Sequence, residues 1–111
     1  MKKLYFNISG MNYRFGNEFL EPGMRVRLEK EKDNEYDTEA IKVSVEGLGQ
    51  IGYVANSFRT VVGECMSAGR IYDKIGDKAG AAVVFKIPQG AVCVIDENDV
   101  TATEGLDLPF C

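Results

Sequence analysis

The stretch NEYDTEAIKVSVEGLGQIGYV, residues 34–54, sets the fold of this chain. Residues 40–46 alternate apolar and polar side chains, which is typical of a β-strand with one face against a core. The Gly47-Leu48-Gly49 segment has the length of a hairpin turn, and residues 50–54 form the returning strand. The hairpin predicts an antiparallel sheet. It is preceded by Tyr36-Asp37, a large ring beside a carboxylate where small polar residues usually form the turn.

Other parts of the chain show strand patterns as well. The strand candidates are residues 3–9, 24–30, 81–87 and 91–95, with a weaker one at 71–75. Between these strands, the apolar residues from Phe58 to Met66 follow helical spacing, which predicts one main helix over residues 57–68. The sequence therefore predicts a mainly β (α+β) fold, a small six- to seven-stranded antiparallel barrel with one helix. A sandwich of two sheets is the alternative.

The length and the charge distribution indicate one domain with an acidic end. A chain of 111 residues suits a single modest core, and we predict a barrel domain over 1–95 followed by an acidic tail over 96–111, either packed or frayed. The net charge is −4, but residues 88–111 contain five acidic and no basic side chains. The remaining residues therefore carry a net charge of +1, which leaves room for a modest basic surface.

The sequence lacks the residues that several classes of enzyme and metal site need. Histidine is absent, so catalytic triads and imidazole metal sites are excluded. The three cysteines are widely spaced, which disfavours zinc, and we expect Cys65 and Cys93 to be buried as small apolar residues. Neither a phosphate-binding loop nor a distinctive carboxylate pair is present, so we predict a protein that is not an enzyme and needs no cofactor. The sequence contains neither a membrane-spanning apolar run nor a signal-peptide core, which predicts a cytoplasmic location.

Aromatic residues are the strongest candidates for ligand contacts. Tyr13 and Arg14 share a long loop, Tyr36 lies in the next loop, and Tyr53 ends a strand. Aromatic rings beside basic groups suit unstacked nucleobases, because each stacked base contributes roughly 1–3 kcal/mol.

Each candidate also has a structural alternative. The rings would instead anchor their loops to the barrel, and we favour this interpretation for Phe15 and Phe19. Asn34 and Asp37 would cap the backbone amides of their own turn, as Asn and Asp commonly do. The residue pattern alone leaves both interpretations of the tyrosines open.

The sequence resembles the HIRAN domain, in particular its stand-alone bacterial type. This small module also precedes the motor of eukaryotic fork-remodelling Swi/Snf-type translocases. The matching segments are FNISGMNYR (6–14), EPGMRVRLEKEKDNEYDTEAIKV (21–43), QIGYV (50–54), and the predicted helix with residues 70–87. The resemblance implies a modified OB-like or SH3-like barrel and binding to DNA, in the characterised eukaryotic members to a free single-stranded 3′ end.

The resemblance also implies roles for particular residues. A loop aromatic stacks on the terminal base and the Tyr-Asp pair engages the terminal nucleotide, which assigns Tyr13, Tyr36 and Asp37 to the site with Tyr53 and Asn56 on its rim. Asp37 would accept a hydrogen bond from the 3′ hydroxyl and repel a 3′ phosphate. The full set of predicted nucleic-acid-binding residues is Tyr13, Arg14, Asn34, Tyr36, Asp37, Tyr53 and Asn56.

Three departures from the eukaryotic pattern affect the phosphate contacts. Asn12 stands where those members have a basic residue, Asn56 replaces a lysine, and the loop 76–80 lacks an aromatic residue. A role in DNA repair would need a separate helicase, translocase or nuclease partner. The alternative function is a protein–protein interaction module without nucleic-acid affinity, which binds its partner through a sheet edge or the acidic tail.

Overall fold

The computed structural model describes residues 3–57 and 59–101, which form one closed barrel of six antiparallel strands. The strands are β1 (Tyr5–Ser9), β2 (Arg25–Lys30), β3 (Ile41–Val45), β4 (Gly49–Val54), β5 (Lys78–Ile87) and β6 (Gly90–Ile95). Their order around the barrel is β1-β4-β3-β2-β5-β6, and β6 pairs with β1 to close it. The predicted small antiparallel barrel is confirmed, and a single closed sheet replaces the sandwich alternative.

Alternation along the strands puts one face of each strand into the core. Phe6 and Ile8 of β1, Val26 and Leu28 of β2, and Ile41 of β3 are at most 1% exposed. Burial of each such side chain contributes about 1.5–3 kcal/mol. The interior is therefore a packed apolar core, and the ligand-binding candidates lie on loops and on the outer face.

The cysteines partly match the prediction. Cys93 is fully buried in the core, and burial raises the pKa of its thiol to about 12. Cys65 is half-buried, and burial raises the pKa of its thiol as well. Cys111 lies outside the described residues.

Two glycines let β1 lie close to its neighbours. A Cβ atom on Gly52 of β4 would stand 2.6 Å from the carbonyl oxygen of Ser9, and one on Gly90 would overlap the carbonyl of Ile8. Both positions therefore exclude larger residues. Because Gly52 has no side chain, the end of β1 lies close to β4, and Ser9 pairs with Tyr53 there.

The predicted main helix over residues 57–68 is wrong. The α-helix found here, α1, spans Ala68–Ile71, with Ser67 as its N-cap. The described residues before it form turns, and Gly63 has a left-handed φ of 54°. Phe58, part of the predicted stripe, lies outside the described residues.

These residues stay in turns because β1 forms hydrogen bonds with backbone amide and carbonyl groups that would otherwise bond within a helix. Asn7 is fully buried, its Oδ1 accepts from the Val62 amide at 3.0 Å, and its Nδ2 donates to the Thr60 carbonyl at 2.9 Å. The Met66 amide donates to the Tyr5 carbonyl at 2.8 Å. The described part of the apolar stripe thus covers β1 as an irregular segment, which we call the β1 cover (residues 59–67).

Residues 71–75 do not form a seventh strand. They continue α1 into a 3₁₀ turn, Tyr72–Lys74, and only Ile75 forms a bridge, with Val100. One strand begins earlier than predicted, because β5 already includes residues 78–80, which the sequence analysis assigned to the loop 76–80.

The first residues of the predicted acidic tail are packed on the barrel. Asp96 forms an ion pair with Arg25, and Asp99 Oδ2 accepts from the Gly80 amide at 2.8 Å. The rest of that tail, 102–111, lies outside the described residues, so a domain boundary after residue 95 stays a prediction. Among the described residues, no helix is long and apolar enough to cross a membrane.

Candidate nucleic-acid interface

The loop between β2 and β3 is organised by Asn34. Its side-chain oxygen accepts hydrogen bonds from the backbone amides of Tyr36 and Asp37, at 2.8 and 2.9 Å. This is an Asx turn, which short polar side chains form without any other part of the protein. The turn fixes the backbone under Tyr36 while the Tyr36 side chain remains 97% exposed.

Asp37 is held from two sides. Its Oδ1 accepts from the Glu39 amide at 2.9 Å, and Asn56 Nδ2 donates to its Oδ2 at 3.2 Å. Asn56 in turn accepts from the Gly69 amide of α1 at 2.7 Å. A carboxylate offers about four acceptor positions, so these bonds orient the Asp37 group and leave capacity for another donor.

Glu31 joins this turn to the barrel. Its Oε1 accepts from Asn34 Nδ2 and from the Tyr53 hydroxyl, each at 2.8 Å. The hydrogen bonds from Asn34 and Tyr53, together with the positive charges of Lys42 and Arg14, lower the pKa of the Glu31 carboxyl. Glu31 therefore carries a negative charge at neutral pH.

Tyr13 and Arg14 lie on the segment that leaves β1. Gly10 adopts a left-handed φ of 78°, a 3₁₀ turn spans Met11–Tyr13, and Met11 is completely buried beneath it. With its turn anchored by Met11, the Tyr13 ring is 92% exposed. Ser9, the last residue of β1, pairs with Tyr53, so this segment starts beside the Glu31 hydrogen bonds.

The structure thus brings together most of the predicted site. Asn34, Asp37, Tyr53 and Asn56 form one hydrogen-bonded network through Glu31, and Tyr36 joins it through its backbone amide. We call these six residues the turn network. Within the described part of the chain Tyr13 forms no hydrogen bond with this network, and Arg14 acts on it through its charge near Glu31.

The turn-capping interpretation of Asn34 and Asp37 is confirmed by these bonds. Phe19 packs against the core as expected. The same expectation for Phe15 is wrong, because its ring is 54% exposed in the loop that contains Tyr13.

Glu31 was missed in the sequence analysis although a local signal exists. It precedes Asn34 by three residues, and the Asn34 amide donates to the Glu31 carbonyl at 3.2 Å, so the two side chains share one turn. Its bond to Tyr53, 22 residues away, depends on the barrel and has no local signal.

Comparison with known proteins identifies the family. The HIRAN domain family model matches residues 1–78, which is more than half of the chain and includes the whole turn network. The chain belongs to the HIRAN domain family. HIRAN domains are known as DNA-binding modules. No curated protein sequence matches the chain.

A solved HIRAN structure has the same fold. The crystal structure of the HIRAN domain of human HLTF superposes with a TM-score of 0.56 at 18% sequence identity. The match covers 87% of this chain and 78% of that chain. At this identity the likeness establishes the OB-like barrel for this HIRAN domain, and the roles of individual residues rest on its own geometry.

The departures noted in the sequence now have a place in this HIRAN domain. Asn12 is exposed in the 3₁₀ turn beside Tyr13. Asn56 is half-buried and uses both ends of its amide, one for Asp37 and one for Gly69. The turn network consequently contains two acidic side chains, Glu31 and Asp37, and no basic one.

Proposed function

We propose that this HIRAN domain binds single-stranded DNA at a free 3′ end, with Tyr13 and Tyr36 stacking on bases and Asp37 accepting a hydrogen bond from the terminal hydroxyl. The observation that supports it is the pairing of two rings, 92% and 97% exposed, with a carboxylate held by a rigid turn. Rings this exposed on anchored turns contribute little to folding and are available to bases.

Charge favours a hydroxyl over a phosphate at this position. Asp37 and Glu31 lie in one network, and no ammonium or guanidinium group is hydrogen-bonded to either within the described residues. A 3′ hydroxyl can donate to Asp37, whereas a 3′ phosphate would add two negative charges beside it. The DNA end with a free hydroxyl is therefore the preferred ligand.

Fluorescence anisotropy with labelled oligonucleotides tests this proposal. Two single strands that differ only in a 3′ hydroxyl or a 3′ phosphate are titrated at one stated salt concentration, because affinity depends on salt. We expect the hydroxyl form to bind more tightly by roughly tenfold or more, the range of one charge-assisted hydrogen bond. Equal affinities would rule out recognition of the end, and no binding to either would rule out the proposal.

The stacking part of the proposal has a matched control. Tyr36→Ala should weaken binding by about 1–3 kcal/mol, because one ring loses its base. Phe85→Ala removes a ring that is 50% exposed on β5, outside the turn network, and should leave the affinity unchanged. Equal losses in the two variants would contradict a stacking role for Tyr36.

The alternative function, a protein–protein interaction module, was expected to bind its partner through a sheet edge or the acidic tail. Within the described residues every strand pairs on both sides, so the barrel offers no open edge for an added strand. A role for the acidic tail concerns residues that are mostly outside that part of the chain. A separate helicase, translocase or nuclease partner, a role in DNA repair and a cytoplasmic location stay predictions.

A further inference from the structure

A nucleic acid strand that ends in the turn network brings a phosphate with it. The linkage on the 5′ side of the terminal nucleotide carries a negative charge, and proteins usually neutralise such charges with Lys or Arg. Glu31 and Asp37 repel that phosphate, and the network itself contains no cation. The cation has to come from a neighbouring element.

Four of the five basic side chains in the β2–β3 part of the chain, residues 25–42, form ion pairs. Arg27 bonds to Glu46 at 3.2 Å, Lys42 lies 3.7 Å from Glu29, and Arg25 is paired with Asp96. Lys32 similarly pairs with Asp77 at 2.9 Å. These ion pairs reduce the attraction of the β2–β3 face for a phosphate.

Helix α1 supplies a nearby cation that is not paired in this way. Its Gly69 amide bonds to Asn56, which bonds to Asp37, so two hydrogen bonds link α1 to the carboxylate. Arg70 follows Gly69 directly and is exposed. Among the described residues no carboxylate lies within 4 Å of its guanidinium.

Lys74 is a second basic residue of this segment, one helical turn after Arg70. It lies four residues after Arg70 in the 3₁₀ turn that continues α1, and within the described ranges it has no ion-pair partner either. Two acidic residues lie beside these cations, Asp73 in the same 3₁₀ turn and Glu39, whose carboxylate lies against Gly69. Neither of them forms an ion pair with Arg70 or Lys74 among the described residues, so both cations are open to an anionic ligand.

We propose that Arg70, supported by Lys74, is a phosphate-binding site for the backbone on the 5′ side of the terminal nucleotide. The strand then runs from the turn network along α1 and away from the ion-paired β2–β3 face. This inference rests on the proposed function, since it assumes that a strand ends at Asp37.

The test compares Arg70→Gln with the wild-type protein in salt titrations with a 3′-hydroxyl single strand. Each lost contact to a phosphate of a single strand reduces the slope of log affinity against log salt concentration by about 0.7. We expect that reduction for Arg70→Gln. Lys86→Gln is the control, because Lys86 lies on β5 with its ammonium on the Glu18 carbonyl, and its slope should equal that of the wild type.

A second ligand pair locates the contact. One oligonucleotide has an uncharged methylphosphonate at the last linkage, and the other has it five linkages further from the 3′ end. Wild-type protein should bind the first more weakly than the second, and Arg70→Gln should bind both alike. Urea unfolding of Arg70→Gln should match the wild type, which shows that the variant is folded.

The outcomes separate the two proposals. If wild-type protein binds the strand and Arg70→Gln keeps the wild-type slope and the wild-type preference between the two ligands, the phosphate site is overturned and the proposed function stands. If wild-type protein binds no oligonucleotide, the proposed function fails and the phosphate site fails with it.

Discussion

Two asparagines, Asn34 and Asn7, each hold a segment that has no regular secondary structure. Asn34 holds its own loop, with acceptor bonds to amides two and three residues further along the chain. Asn7 holds the β1 cover from a strand more than fifty residues earlier. Both side chains satisfy backbone groups, but only the first does so within a few residues of itself.

The difference explains which of the two segments the sequence predicts well. A local Asx turn leaves its signal in adjacent residues, so the turn at Asn34 was predictable. The β1 cover has a helical apolar stripe of its own, and nothing near it indicates that Asn7 will bind the Thr60 and Val62 backbone instead. Tertiary hydrogen bonds decide its conformation, against the local pattern.

The largest effect that we expect comes from removing the distant asparagine. Asn7→Ala deletes two hydrogen bonds and leaves the Val62 amide and the Thr60 carbonyl without their partners, which should lower the free energy of unfolding by about 2–4 kcal/mol. Urea denaturation measures it. Asn12→Ala, at an exposed position, is the control and should change stability little. If Asn7→Ala loses no more stability than Asn12→Ala, the β1 cover does not depend on Asn7.

A smaller loss of stability is expected from the local asparagine. Asn34→Ala removes two bonds to amides and one to Glu31, but the turn is exposed to water that replaces part of them, so we expect about 1–2 kcal/mol. The same variant should weaken oligonucleotide binding, because Tyr36 and Asp37 lose their fixed backbone.

Asn34→Asp separates the two contributions of that side chain. It retains an oxygen for both amides but loses the donor to Glu31 and adds a like charge beside it. If Asn34→Asp binds DNA no better than Asn34→Ala, the amide bonds alone do not define the site.

The strands were predictable because alternation is a local property. The predicted strand 24–30 is Arg25–Lys30 in the structure, and 50–54 is Gly49–Val54. The start of β5 was missed, because Gly80 looks like a loop residue. In the barrel its missing side chain leaves room for the Arg25–Asp96 ion pair, and its amide bonds to Asp99.

The candidate site was predicted in parts for the same reason. The resemblance and the turn pattern identified Asn34, Tyr36 and Asp37, which are close in sequence. The Glu31–Tyr53 and Asn56–Asp37 bonds join residues 22 and 19 positions apart, so they appear only once the barrel brings β4 beside the loop.

A substitution at Gly63 tests the conformation of the β1 cover, because a turn and a helix predict opposite signs for the change in stability. Gly63 has a φ of 54°, a region that costs other residues about 1–2 kcal/mol, and a Cβ there would meet no atom within 4 Å. Gly63→Ala should therefore destabilise the protein by about 1 kcal/mol. If residues 57–68 formed a helix, the same change would stabilise it by about 1 kcal/mol.

The control for this prediction is Gly76→Ala. Gly76 has no positive φ, and a Cβ atom there would come no closer than 4.0 Å to its neighbour, so its replacement should be neutral or slightly stabilising. Urea midpoints of the two variants and the wild type give the signs. A stabilised Gly63→Ala would contradict the turn conformation of the β1 cover.

The smallest expected effect is a pH dependence centred on Glu31. Its carboxyl has a lowered pKa in the folded state, through the hydrogen bonds from Asn34 and Tyr53, so the unfolded chain binds its proton first as pH falls. The ionised Glu31 carboxyl therefore stabilises the folded protein fully above its ordinary pKa of 4.5. This stabilisation is lost as pH falls through the lower pKa that Glu31 has in the folded protein. Glu31→Gln keeps an oxygen acceptor but cannot titrate. The difference in unfolding free energy between wild type and Glu31→Gln should therefore be largest near pH 6 and shrink towards pH 3, while acids elsewhere, such as Asp77, affect both proteins equally. A difference that is constant over this range would show that the Glu31 charge does not stabilise the turn network.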